Sequence, residues 1–156
     1  MTLPEAKSAL DLASGPTTHH NAVVQTERVD SVRALERPLV LIIDEEESAR
    51  ELYGHWFVAQ GFQVMCAVGV FGLSLALRRE RPHLIVTELK ARDLTLQNLI
   101  ARLRCDETTR CIPIIVLTTS CDASALDGAK AAGAVAVLPK LADFDLLRSW
   151  VSALCV

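Results

Sequence analysis

The stretch Leu39-Val40-Leu41-Ile42-Ile43-Asp44-Glu45-Glu46-Glu47 decides the fold. Five consecutive aliphatic residues with no polar alternation read as a strand covered on both faces, the pattern of a parallel sheet. The run stops at once in four acidic residues, as expected of a strand leaving the core at its carboxyl end. Residues 48–60 then place Ala49, Leu52, Tyr53, Trp56 and Phe57 at helical spacing, and Gly61 stands where that helix should stop.

The same unit recurs along the chain. Residues 62–68, 83–88, 113–118 and 134–138 read as further strands. Helices are expected over 71–79, around Leu96, Leu99, Ile100 and Leu103, and over 122–132 with Gly133 as the stop. A last one follows the stripe Phe144, Leu147, Trp150, Val151 and Leu154, with Asp143 placed to cap it. Trp56 and Trp150 fall on apolar stripes and read as core or edge-of-core residues. Strict strand–helix alternation predicts an α/β fold, a doubly wound five-stranded parallel sheet with helices on both faces.

Ligands of such sheets bind beyond the carboxyl ends of the strands, where the strand order reverses. The side chains leaving the strands there are Asp44, Glu45, Glu88, Thr118 and Lys140. With the strands in the order 2-1-3-4-5, Asp44 and Glu45 emerge beside Glu88, while Thr118 and Lys140 approach from the other side. Two like charges about 4 Å apart repel by ~4 kcal/mol at a surface-like dielectric. The acidic group therefore calls for a cation, and hard carboxylate oxygens suit Mg²⁺ or a nearby lysine.

Bulk properties narrow the function classes. At 156 residues, 51% hydrophobic, the chain is long enough for one domain that needs no disulfide or metal to hold its core. The net charge of −3 and the lack of a basic patch interleaved with aromatics exclude nucleic acid as an expected partner. No apolar stretch approaches membrane-spanning length, and residues 1–13 lack a signal-peptide core, so the expected location is cytoplasmic. Five cysteines without CxxC pairs fit free thiols in a reducing compartment. Residues 1–36, with Gly15-Pro16 and no sustained period, read as a flexible N-terminal arm, and 37–156 as the folded domain.

Four segments together carry a family resemblance. Leu41-Ile42-Ile43-Asp44-Glu45-Glu46, then Pro82-His83-Leu84-Ile85-Val86-Thr87-Glu88-Leu89, then residues 113–118, then Leu138-Pro139-Lys140 resemble the response-regulator receiver domain, in order and with its spacing. The resemblance implies the flavodoxin-like receiver fold. It also implies an acidic pair in Asp44 and Glu45, a switch hydroxyl in Thr118 and a phosphate-binding lysine in Lys140. Asp44, Glu45 and Glu88 would form the metal site if Mg²⁺ binds; no cofactor is otherwise required.

The chain departs from that pattern where phosphate would be accepted. Receivers carry Asp there; this chain has Glu88, one methylene longer, which partly imitates the charge and reach of a phospho-aspartate. In-line phosphoryl transfer is sensitive to small displacements, so Glu88 is a phospho-acceptor equivalent rather than an expected acceptor. Val137 replaces the usual aromatic switch residue, and Leu141 the usual Pro after the lysine. Lys90, two residues past Glu88, is a candidate to fold over the acidic group in place of Mg²⁺.

The expected function is that of an atypical receiver, a signal-transduction module working through protein contact without Asp phosphorylation, and not an enzyme. Its expected partner is a histidine kinase or a downstream signalling protein. By resemblance the contact would use the face built from the fourth helix, fifth strand and last helix, residues 122–154. Two alternatives stay open: a phosphorylatable, Mg²⁺-dependent receiver in a two-component phosphorelay, and a structural adaptor that has lost switching.

Overall fold

The computed structural model describes residues 37–88, 94–140 and 144–154, the side chains of 94–96 excepted. The chain divides into two units, Met1–Glu36 and Arg37–Val156. The expected arm, the Lys90 lid, Leu141 and the Asp143 cap lie outside the described residues.

Five strands and five helices alternate along the second unit. They are β1 (Leu39–Ile43), α1 (Glu47–Ala59), β2 (Gln63–Ala67), α2 (Gly69–Arg79), β3 (Leu84–Glu88), α3 (Leu94–Cys105), β4 (Ile114–Thr118), α4 (Ala123–Ala132), β5 (Ala136–Pro139) and α5 (Phe144–Leu154). The strands form one sheet in the order β2-β1-β3-β4-β5, every pair parallel. This is the flavodoxin-like receiver fold. The chain reverses direction across the sheet between β1 and β3, so the ends of those two strands open a crevice.

The sequence pattern explains which strand goes where. β1 and β4 are buried at every position and β3 at all but its last, as their unbroken aliphatic runs demand. β2, at an edge, is partly exposed. One core half-layer joins the sheet to α2, α3 and α4 through Leu73, Ala76, Ile100, Leu103 and Ala129. The other joins it to α1 and α5 through Ala49, Tyr53, Phe57, Leu147 and Val151. Trp56 packs against Phe57 and Phe144, with ring centroids 4.9 and 5.6 Å away, while Trp150 is exposed at the margin of α5.

The approach to β5 is fixed by a basic clamp. Gly133 caps α4 with φ 116°, in the left-handed region that a side chain resists. Its carbonyl accepts from Arg104 Nε and Nη2 at 3.1 and 2.9 Å, while Arg104 Nη1 donates to the carbonyls of Arg110 and Ile112 at 3.0 and 2.8 Å. One guanidinium thus ties the end of α4 to the turn that leads into β4, and so sets where β5 starts beside it.

A Cβ at Gly133 would lie 2.8 Å from Arg104 Nε and 2.9 Å from its Cγ. Gly133→Ala should therefore lose at least the ~1–2 kcal/mol of a left-handed side chain. Arg104→Met, which keeps the stem and strips the carbonyls of their donor, should cost about 1.5–3 kcal/mol. Urea denaturation with an unchanged m-value is the measurement.

Candidate functional site

At the carboxyl end of β1 the chain turns sharply. Asp44 is buried, its N–H donates to the Ala67 carbonyl at 3.3 Å, and its Oδ1 accepts from the Glu46 N–H at 2.9 Å. That local bond is an Asx-type turn, which folds the backbone back on itself within two residues. Arg50 Nη1 secures the turn by donating to the carbonyls of Asp44 and Glu45 at 2.9 and 3.0 Å. Glu46 then precedes α1 in extended conformation without capping it through its side chain.

Lys140 arrives from the other direction. Its N–H donates to the Thr118 carbonyl at 2.7 Å, which registers the β5 exit against that of β4. Its ammonium reaches across the sheet end and meets three carboxylates: Asp44 Oδ2 at 2.9 Å, Glu88 Oε1 at 3.0 Å and Glu46 Oε2 at 3.1 Å. An ammonium has three N–H donors, so this set matches its capacity. The Lys140 side chain is 3% exposed, Asp44 5%, Glu88 12% and Glu46 63%. The pairs with Asp44 and Glu88 are therefore buried, and the pair with Glu46 is bathed in solvent.

Protonation follows from this arrangement. Burial alone would lower the Lys140 pKa, but hydrogen bonds to Asp44, Glu88 and Glu46 outweigh it and hold the ammonium above the ordinary lysine range. Glu88 moves upward: burial raises its pKa, neighbouring Asp44 adds to the rise, and Lys140 opposes it. Glu88 Oε2 is buried and has no hydrogen-bond partner among the described residues.

Lys90 apart, the site residues expected from the sequence can each be placed. Asp44, Glu88 and Lys140 come together. Thr118 lies buried at the β4 exit, its Oγ1 accepting from the Ser120 N–H at 2.9 Å. Glu45 is exposed on the turn, and it is Glu46 that faces Lys140. Sequence reasoning passed over Glu46 and Arg50. The first becomes visible only once Asp44 is read as the start of a two-residue turn rather than half of an adjacent pair.

The family resemblance raises the question of a Mg²⁺ site, which needs a near-octahedral set of oxygens. Here Asp44 Oδ1 and Oδ2 are engaged by the Glu46 N–H and by Lys140, and Glu88 Oε1 also by Lys140, leaving Glu88 Oε2 alone. Among the described residues no group of three His, Cys, Asp or Glu side chains is arranged to hold a metal ion. Lys140 thus occupies the centre of the described carboxylates, with Glu45 exposed on the turn beside them. No helix among the described residues is long and apolar enough to cross a membrane.

No protein-family model and no curated protein matches the sequence. Solved structures do match. A response regulator receiver protein from Pseudomonas putida is 26% identical with TM-score 0.68, covering 75% of this chain and 97% of its own. A response regulator from Thermotoga maritima is 25% identical with TM-score 0.68, covering 76% and 97%. The response regulator protein from Burkholderia multivorans is 30% identical with TM-score 0.63, covering 77% and 96%. Matched to that protein almost from end to end and with the receiver strand order, the chain belongs to the response-regulator receiver family.

Proposed function

We propose that this chain is an atypical receiver that transmits a signal through protein contact, its acidic site neutralised from within and independent of phosphorylation. The observation that carries the reading is the Lys140 ammonium bound at once to Asp44, Glu46 and Glu88. Phosphoryl transfer to a carboxylate needs one of its oxygens free, reachable and in line with the donor. Glu88 Oε1 is held by Lys140, and Oε2 is closed off from solvent. The longer side chain thus brings a carboxyl group onto the lysine that would otherwise receive a phosphoryl group.

Switching has also lost its usual lever. Val137, in place of an aromatic, packs against the aliphatic core instead of offering a ring that swings between buried and exposed positions. The signal then lies in a permanently presented surface. The exposed Val135, Leu146 and Trp150, on and beside β5 and α5, support the face of α4, β5 and α5 as the one that meets a protein partner.

Incubation with acetyl phosphate and Mg²⁺ followed by intact-mass measurement tests the reading directly. The mass should stay unchanged; a labile gain of one phosphoryl group would show an ordinary phosphorelay receiver instead.

The ion cluster makes its own energetic forecast. Lys140→Met strands two buried carboxylates and should cost about 3–5 kcal/mol. Glu46→Ala removes an exposed pair and should cost under ~1 kcal/mol. Glu88→Gln should also be mild, because the site already disfavours the ionised form and Asp44 still neutralises Lys140. Chemical denaturation of the three variants gives the ranking.

The stability difference between wild type and Glu88→Gln should depend on pH. The folded protein holds the Glu88 proton more tightly than the unfolded chain, whose carboxyl titrates near the ordinary 4.5. Stability from this group is complete below that value and is lost as pH rises through the elevated folded pKa. Wild type should thus gain on Glu88→Gln as pH falls from neutrality towards 4.5. Parallel melting curves for the two proteins would contradict the raised pKa.

A further inference from the structure

The sheet has two outer strands, and they are finished differently. β5 is four residues long and ends in Pro139, both of which blunt an edge against pairing. β2, Gln63-Val64-Met65-Cys66-Ala67, carries neither charge nor proline. The Gln63 N–H donates to the Pro38 carbonyl and the Ala67 carbonyl accepts from the Asp44 N–H, so these alternate residues face β1. By the pleat, Val64 and Cys66 turn their backbone N–H and C=O groups outward.

A groove of about 400 Å³ runs along this edge. α1 and α2 pack on opposite faces of the sheet, and the groove takes residues from both and from β2 between them. Arg50 comes from α1, Cys66 from β2, and Phe71, Leu75 and Arg79 from α2, with Val68 between. Phe71 is 76% exposed and Val68 53%, which makes a continuous apolar strip rather than the scattered exposure normal for a surface. Cations stand at the two ends. Arg50 lies by the turn after β1, and Arg79 ends α2 on the opposite side, eight residues or ~12 Å of helix beyond Phe71. Arg79 forms no ion pair among the described residues.

We propose that the β2 edge receives an extended segment of a partner protein, apolar along its middle and acidic at both ends. Strand addition would satisfy the outward groups of Val64 and Cys66, and alternate side chains would drop onto Phe71 and Leu75. Charge decides between this occupant and a second copy. Two-fold pairing of β2 with itself is antiparallel and would set Arg50 of one copy against Arg79 of the other. An acidic-flanked segment meets an opposite charge at each end. This site is separate from the Lys140 cluster and stands whether or not the chain is phosphorylated.

Selection of a displayed library of random peptides on the full-length chain tests the proposal. Enriched peptides should alternate apolar residues between acidic flanks. Their affinity, read by fluorescence polarisation, should fall roughly tenfold or more in Arg79→Glu and in Phe71→Ser. Cys66→Pro should act likewise, because it removes an outward N–H and leaves the pairing with β1 intact. If that variant does not fold, the other two decide. The proposal is overturned if no peptide enriches, if the enriched peptides lack acidic flanks, or if Arg79→Glu and Phe71→Ser bind unchanged. Concentration-dependent dimerisation abolished by Phe71→Ser would also overturn it, by placing a second copy on the edge.

Discussion

A nearly inaccessible ammonium surrounded by three carboxylates governs the end of this sheet. Removing an ion from water costs several kcal/mol, and the cost is recovered only when close, well-directed partners replace the lost hydration. Lys140 achieves this with its three donors spent on Asp44, Glu88 and Glu46. The balance is nonetheless uneven, since two buried carboxylates share one buried cation. Glu46, being exposed, is compensated largely by solvent. Glu88 is the drier of the two outer carboxylates, and its elevated pKa follows first from that burial and then from the negative charge of Asp44 beside it.

On the proposed reading, the geometry gives a Glu rather than an Asp at position 88 a physical meaning. A carboxylate one methylene shorter, leaving β3 at the same place, would reach less far towards the lysine and leave more room at the centre of the acidic group. The added methylene closes that gap by bringing the carboxylate onto the cation. On that reading the feature of note is less the loss of a reactive group than the completion of an internal salt cluster by a longer side chain.

Much of this was legible before any coordinates. The unbroken aliphatic runs of β1, β3 and β4 announced strands buried on both faces, and Gly61 and Gly133 marked helix ends where the backbone does take positive φ. Strand exits then named Asp44, Glu88, Thr118 and Lys140 without reference to three dimensions. Which acid joined Asp44 was less readable. Four consecutive acidic residues offer equal chemistry, and only the direction of each side chain through a tight turn separates Glu45 from Glu46. Arg50 was hidden for a similar reason, since its role is to hold backbone carbonyls and carbonyls leave no trace in a sequence. The β2 groove depends on residues from three elements and on opposite sheet faces, which no single periodicity reveals.

The partners of Lys140 come from distant parts of the chain, with Glu46 lying 94 positions before it. Closing so long a loop is entropically slow, and the ammonium can meet its carboxylates only after β1, β3 and β5 have been laid side by side. Its stabilisation is therefore absent from an early folding nucleus and is felt chiefly as resistance to opening. On this argument the acidic crevice should act as a latch on the lifetime of the native state, keeping the sheet shut long after the rate of assembly has been settled elsewhere.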